Sequence, residues 1–273
     1  FDDSKIAGFK DIFKNNPTAI KEIIQSHPDI IIEMAQNNIT KSDVIAIAYR
    51  KSQLGIFANL LNDDKFFEEK KIGWRKTRDE DVWQYFFETN KWIFGFGLNY
   101  IFNASLDNKK LEQYVSGFNF NAGGKRTDAL MKSSGLISSF CLGEIKTHKT
   151  PLLLGAKNAD RPESWPVSDK LVAGVAQIQK TVQMFIQQAK TKYEPQQNDG
   201  TLTGEHIFLY QPKSYLIIGS LKQFISTNNT INEQKFSSFQ LFRRNIVNPE
   251  IITFDELYER AKMILDNTVT KQS

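Results

Sequence analysis

The sequence has little of what secreted, membrane-spanning or zinc-binding proteins carry. Its 273 residues include three histidines and one cysteine, Cys141, so no disulfide can form within the chain. These counts argue against a disulfide scaffold and against a zinc site of the usual Cys/His kind. No apolar run approaches the ~18–20 residues that span a bilayer, and no charged-then-apolar leader opens the chain. We therefore expect a cytoplasmic protein with no membrane partner; the start at Phe1 leaves open whether residues precede it.

The composition is that of a folded protein with an aromatic-rich core. Hydrophobic residues make up 40% of the chain and aromatic residues 12%, including 21 phenylalanines. That content is too high for a disordered chain and sufficient for one large domain, with or without a helical appendage. The net charge of +4 permits nucleic-acid binding but does not require it, because many metabolic enzymes have a similar balance.

The N-terminal part is predicted to be helical. Asn16-Pro17 and His27-Pro28 each open a short helix, because proline suits a first helical turn. Apolar residues between Val44 and Leu61 recur at helical spacing, and a charged stretch over 68–80 follows. We predict a helical segment over 1–78, with a regulatory or an oligomerisation role left open, and a second domain over 79–273.

From residue 79 onward the sequence alternates between helical and strand patterns. Apolar residues recur at helical spacing in some stretches and form short runs bounded by glycine and polar turns in others. The pattern predicts an α/β domain with the order helix, three strands, helix, strand. The predicted helices are 79–92, 168–193, 232–245 and 254–267, and the predicted strands are 98–102, 125–131, 136–146 and 214–219.

An acid-x-Lys pair is the first sign of a metal-dependent nuclease site. Such enzymes need carboxylates that hold a divalent metal against the scissile phosphate, and a cation that orients or activates the attacking water. The pair by itself carries little information, because the chain contains several. They are Asp3/Lys5, Asp63/Lys65, Glu68/Lys70, Glu69/Lys71, Asp107/Lys109, Glu144/Lys146 and Glu233/Lys235.

Sequence context separates Glu144/Lys146 from the other pairs. It ends a strand-like apolar run over 136–143, whereas the others fall in charged turns or helical stretches. Alternate residues of a strand share a face, so Glu144 and Lys146 point to one side, roughly 7 Å apart along the strand. An unpaired carboxylate among apolar neighbours is costly, and a metal or a cation removes that cost.

Asp128 is the second acid of the candidate site. It lies 16 residues before Glu144, and a hairpin through 133–135 can bring the two carboxylates together. An ordinary strand-edge acid, paired with Lys125 or Arg126, is the alternative that residue chemistry leaves open. Spacing and residue type therefore give an acid-acid-lysine trio as one hypothesis among others.

Five blocks of sequence then carry a resemblance. The first three are Trp83–Leu98, Gly123–Asp128 and Gly143–Leu152, and the last two are Phe239–Arg244 and Ile252–Tyr258. Together, and in this order, they resemble the Shedu family of anti-phage defence nucleases. No motif in the N-terminal 75 residues takes part in the resemblance.

The resemblance implies a fold and a catalytic trio. The family belongs to the PD-(D/E)xK nuclease superfamily, whose restriction-endonuclease-like core is a central mixed sheet flanked by helices. Asp128 and Glu144 are then metal ligands, and Lys146 is the catalytic cation. Thr127 stands where the superfamily name has a proline, but that position varies widely among such nucleases.

The resemblance also adds residues around the trio. It implies Glu88, on the first core helix, as a further acid that assists the metal site. It implies Gln177, on the helix after the acid-x-Lys strand, as an auxiliary residue, with Gln179 and Gln183 as open alternatives. The backbone carbonyl of Ile145 is expected to join the metal ligands.

The expected function is hydrolysis of DNA phosphodiester bonds in bacterial anti-phage defence. The expected cofactor is Mg²⁺, with Mn²⁺ able to replace it, and the expected partners are double-stranded DNA and further copies of the chain. Basic side chains near the site are predicted to bind the phosphate backbone. They are Lys125, Arg126, Lys149, Lys157 and Arg161.

Three alternatives stay open at the level of sequence. The domain can serve as a sensor of DNA ends or of a phage component, with little cleavage of its own. RNA can be the substrate, since no residue pattern identifies a reader of the 2′-hydroxyl group. His148 can contact a phosphate, or it can be a loop histidine without a role.

Overall fold

The structure is a computed structural model that describes residues 41–94, 102–104, 129–133, 138–155, 163–189, 192–194, 201–202, 204 and 206–270. Several predictions concern residues outside these ranges and remain predictions. They are the helices opened by Pro17 and Pro28, the metal ligand Asp128, and the phosphate-binding residues Lys125, Arg126, Lys157 and Arg161.

The chain divides into two compact units. The described part of the first comprises residues 41–64 and 258–270, and it contains helix α1 (Lys41–Asn62). Phe57 of α1 is fully buried and meets the ring of Tyr258 edge-on, with 5.5 Å between ring centroids. The helical pattern predicted from Val44 to Leu61 is thus confirmed.

The second unit, Lys65–Leu257, contains the candidate site. Helix α2 (Asp64–Gly73) carries the first half of the charged stretch and ends one short turn before α3 (Asp79–Thr89). Three acids in the first turn of α3 suit the positive end of the helix dipole. A short 3₁₀ helix, Lys91–Phe94, follows.

A mixed sheet of six strands forms the middle of this unit. Its strands are β1 (Phe102–Ala104), β2 (Ala129–Ser133), β3 (Ser138–Ile145), β4 (Lys192–Tyr193), β5 (Ile207–Ile217) and β6 (Glu250–Ile252). The order β1-β2-β3-β5-β4 has β3 and β5 parallel at its centre, and β1/β2, β2/β3 and β4/β5 antiparallel. Strand β6 runs parallel to the end of β5, on the edge that β4 occupies near the start of β5.

The described part of the unit also contains three further α-helices and a second 3₁₀ helix, Leu221–Phe224. Helix α4 (Asp169–Ala189) packs on β3 and β5 and begins at Ser168, whose hydroxyl accepts the backbone N–H of Leu171 at 3.1 Å. Helix α5 (Glu233–Arg244) is capped in the same way by Asn232. Helix α6 (Phe254–Thr270) begins in this unit and continues into the other.

Two groups of buried side chains hold these elements together. The first is aliphatic with a few aromatic rings, and the second is aromatic and packs α3 against the segment after β3. The members of the first are Leu152, Leu171, Val175, Leu216, Ile218, Phe224, Phe239 and Ile251. The members of the second are Phe67, Trp83, Phe86, Phe87, Phe94, His148 and Phe254.

The described elements confirm the predicted α/β class, although several boundaries differ. The strand predicted over 214–219 is the end of the much longer β5, and the short strands β4 and β6 were not predicted. β2 begins at Ala129, so its described part is shifted toward the turn relative to the prediction 125–131. No helix within the described ranges is long and apolar enough to cross a membrane.

Candidate functional site

Strand β3 carries the acid-x-Lys pair into the interior of the sheet. Glu144 lies opposite Leu216 of the parallel strand β5, and only 2% of its side chain is exposed. Lys146 follows directly after the strand, where its backbone N–H donates to the carbonyl of Ile217 at 2.9 Å. The predicted sharing of one face by the two side chains is confirmed by their contact, because Nζ of Lys146 lies 2.5 Å from Oε1 of Glu144.

A glutamine from α4 is a second partner of the lysine. Nζ of Lys146 donates to Oε1 of Gln177 at 3.1 Å. Gln179 instead donates to the carbonyl of Asn248 at 2.9 Å, and Gln183 accepts a hydrogen bond from Lys180 at 2.8 Å. Of the three glutamines that the sequence left as alternatives, Gln177 is therefore the one that contacts Lys146.

A tight turn follows Lys146, and hydrogen bonds hold it at the end of strand β3. The side-chain hydroxyls of Thr147 and Thr150 lie 3.1 Å apart, and the N–H of Thr150 donates to the carbonyl of Thr147. Gly219 donates to the same carbonyl at 2.9 Å. Gly219 has φ +65°, and a Cβ there would lie 2.6 Å from Leu152 and 2.9 Å from the carbonyl oxygen of Thr150. The turn thus needs a glycine beside it.

His148 has a packing role that neither sequence interpretation anticipated. Its side chain is 8% exposed, and its Nδ1 lies 3.0 Å from Nε1 of Trp83. Because an indole N–H can only donate, Nδ1 of His148 is the acceptor and carries no proton in this arrangement. The imidazole also contacts the rings of Phe67 and Phe254. The sequence contains no signal for this pairing, whose partners are 65 residues apart.

Of the other predicted site residues, Glu88 and Lys149 lie within the described part of the chain. Glu88 lies on the last turn of α3, is partly buried, and belongs to a helix that packs on β3. Lys149 is exposed in the turn after Lys146, with its ammonium group 5.0 Å from the centre of the Phe67 ring. Asp128 lies outside the described residues; its chain neighbour Ala129 pairs with Gly143, the residue before Glu144.

Cys141 precedes Glu144 by three residues on the same strand and is fully buried. Burial raises the pKa of its thiol well above the usual value of 9.0, and this effect outweighs the nearby charge of Lys213. The group stays a thiol at neutral pH and is closed to solvent. A buried thiol with a raised pKa is poorly suited to act as a nucleophile.

The chemistry of the site suits an oxygen-preferring cation. Oε1 of Glu144 accepts a hydrogen bond from Lys146, and its Oε2 is buried. Carboxylate oxygens such as these, and backbone carbonyl oxygens such as that of Ile145, are the ligand types that Mg²⁺ and Mn²⁺ prefer. Within the described part of the chain, no group of three or more His, Cys, Asp or Glu side chains is placed to hold a metal. The described ligand types thus suit Mg²⁺, and Asp128, the second predicted acid, lies outside the described residues.

The fold is of the α/β class, and its candidate site, the buried acid–lysine pair, lies at the end of the central parallel strands. A model of the family described as Shedu protein SduA, C-terminal, matches residues 77–258. The chain belongs to this Shedu family. Over 247 residues it is 28% identical to the Shedu protein SduA of Bacillus cereus (strain B4264), which covers 89% of the chain. The matched region spans 58% of the length of that relative.

Proposed function

We propose that the chain is a metal-dependent endonuclease that hydrolyses DNA in bacterial anti-phage defence. The observation that carries this proposal is the contact of Lys146 with buried Glu144 on one side and with Gln177 on the other. Membership of the Shedu family supports the defence role. We further propose that the protein acts in the cytoplasm, on double-stranded DNA, as a homo-oligomer.

The order of elements supports a PD-(D/E)xK core. Helix α3, strands β1 to β3, helix α4 and strand β5 follow one another as helix, three strands, helix and strand, with the two-residue β4 inserted before β5. The acid-x-Lys pair lies at the end of the third strand, and the auxiliary glutamine lies on the next helix. This order and these positions support the proposal of such a core.

Each residue of the site has a proposed task. Asp128, Glu144 and the carbonyl of Ile145 would hold Mg²⁺, which when bound supplies Lewis acidity toward the scissile phosphate and its attacking water. Lys146 positions the water and offsets the negative charge that develops on the phosphate. Gln177 accepts a hydrogen bond from the ammonium group of Lys146 and orients it, and Glu88 assists from α3.

An exposed positive charge next to the candidate site supports the proposed binding of nucleic acid. Lys149 extends from the turn that follows Lys146 and is exposed to solvent. A lysine at this place can contact a phosphate next to the one that is cut, which gives affinity without reading sequence. Lys125, Arg126, Lys157 and Arg161 are proposed to extend the same contact.

A cleavage assay with supercoiled plasmid tests this function. The chain is expected to nick or linearise the plasmid with Mg²⁺, and Lys146→Met or Asp128→Asn should lower the rate roughly 100-fold or more. Lys170→Met removes an exposed lysine near the start of α4 and should leave the rate unchanged. Equal cleavage by Lys146→Met and Lys170→Met would show that the site is assigned wrongly.

The same preparation distinguishes the two alternatives. DNA binding in Ca²⁺ without cutting in either Mg²⁺ or Mn²⁺ would identify a sensor. Single-stranded RNA of the same sequence, assayed in parallel, would reveal a ribonuclease if it were cut in preference to DNA.

A further inference from the structure

Lys146 contacts the carboxylate oxygen of Glu144 that is expected to bind the metal ion. Its Nζ lies 2.5 Å from Oε1 of Glu144, whose side chain is 2% exposed. A carboxylate buried to this degree is unstable without a counter-charge, and Lys146 provides one from within the chain. A divalent cation that binds Glu144 through this oxygen competes with the lysine for it, because two positive charges at one carboxylate oxygen repel each other.

The ammonium group has a second partner that carries no charge. Oε1 of Gln177 accepts its hydrogen bond at 3.1 Å from helix α4. A lysine has three N–H donors, so the bond to Gln177 can persist when the contact with Glu144 is broken. The lysine is also 23% exposed, which leaves room for its displacement toward solvent.

We propose that Lys146 is a placeholder cation that competes with a divalent metal for Glu144, and that Gln177 eases its displacement. The inference rests on the proposed metal-dependent function and extends it, because it gives Lys146 control of metal affinity in addition to its task in hydrolysis. At low metal concentration the lysine neutralises the buried carboxylate and keeps the site closed to metal. Rising metal concentration frees the ammonium group for the phosphate.

Metal binding without DNA measures this competition separately from cleavage. The complete chain is titrated with Mn²⁺ at pH 8 by calorimetry, where an ordinary carboxyl group with pKa ~4.3 is ionised. Lys146→Met should lower the Kd for Mn²⁺ about tenfold, which is ~1.4 kcal/mol. Lys170→Met makes the same change of charge at an exposed position and should leave the Kd unchanged.

Removal of Gln177 tests whether Lys146 weakens metal binding by competing for Glu144 or only by the repulsion between two cations. Gln177→Leu does not change the charge, but it deprives the displaced ammonium group of its partner. The bond to Gln177 matters most when the carboxylate has been lost to the metal, so this substitution should raise the Kd about threefold to tenfold. In the Lys146→Met background it should have no effect. Gln183→Leu, which removes the partner of Lys180 from the same helix, is the matched control.

The outcomes also separate this inference from the proposed function. If Glu144→Gln abolishes Mn²⁺ binding while Lys146→Met binds no more tightly than wild type, the placeholder role is wrong and the metal site stands. If Gln177→Leu and Gln183→Leu bind Mn²⁺ alike, the role of Gln177 is wrong, and this arm does not depend on the folding of Lys146→Met. If neither wild type nor Lys146→Met binds Mn²⁺, both proposals fail.

Discussion

The indole Nε1 of Trp83 donates a hydrogen bond of 3.0 Å to Nδ1 of His148. This bond joins helix α3, which carries Glu88, to the turn that directly follows Lys146. Both partners are buried, and the rings of Phe87 and Phe254 pack against Trp83. The position of the turn beside the site therefore depends on an aromatic core rather than on the surface.

Trp83→Phe should destabilise the protein by ~1–3 kcal/mol, because it leaves Nδ1 of His148 without its donor inside the core. Urea unfolding at neutral pH measures the change. Trp74→Phe is the matched control, since Trp74 is partly exposed and its ring packs against that of Tyr85 at a tilt of 51°. A loss for Trp83→Phe no larger than for Trp74→Phe would contradict the importance of the bond.

Gly219→Ala should destabilise the protein by more than ~1–2 kcal/mol. The residue adopts φ +65°, which costs an L-residue energy, and the new Cβ would lie 2.6 Å from Leu152. Gly55→Ala in helix α1 meets no atom within 4 Å and should stabilise by ~0.5–1 kcal/mol. Thermal unfolding of the two variants should thus shift in opposite directions, and a shift in the same direction would be evidence against this account of Gly219.

Glu256 gives stability a pH dependence. Its burial by itself raises the pKa, but hydrogen bonds from both terminal nitrogens of Arg243 and from Thr253 outweigh it, so the pKa lies below the usual 4.5. A carboxyl group with a lowered folded pKa contributes stability above pH 4.5 and loses it as pH falls through the folded value.

Glu256→Gln should therefore cost ~2 kcal/mol at pH 7 and progressively less below pH ~4.5. Urea unfolding between pH 7 and pH 3 measures the difference from wild type. Glu259→Gln, at an exposed position of the same helix, should show a small effect at every pH. A constant difference for Glu256→Gln across this range would contradict the ion pair with Arg243.

Arg243 and Glu256 also show a structural role for the last two sequence blocks, Phe239–Arg244 and Ile252–Tyr258. Both belong to blocks that resemble the Shedu family, and the structure uses them to join α5 to the start of α6. Asp255 accepts the backbone N–H of Leu221 in the same region. These charged residues therefore stabilise the fold around β5 and β6.

The helices and the site strand could be predicted from sequence because their signals are local. The apolar spacing within α4 predicts a helix, and the apolar run before Glu144 predicts a strand; each pattern depends only on residues close together in the chain. The length of β5 could not be predicted, since Gln211 at φ 47° and Pro212 interrupt its pattern, and its pairing with β3 is long-range. Strand β6 has only three residues.

The same distinction holds for the site. Glu144 and Lys146 are two residues apart, so strand alternation was enough to bring them to one face. The choice of Gln177 over Gln179 needed the rotation of α4 on the sheet, which periodicity does not fix. The bond between Trp83 and His148 needed the packing of α3 on β3, and no feature of either residue predicts it.

The proposed hydrolysis of DNA depends on the buried carboxylate of Glu144. The most direct measurement compares the Mg²⁺-dependent rate of plasmid cleavage by Glu144→Gln with that by Glu233→Gln. The second variant alters the exposed acid of the acid-x-Lys pair Glu233/Lys235 at the start of α5. The account predicts that Glu144→Gln stays folded and cuts at least about 100-fold more slowly, while Glu233→Gln cuts at the wild-type rate. Equal rates for the two variants would contradict it.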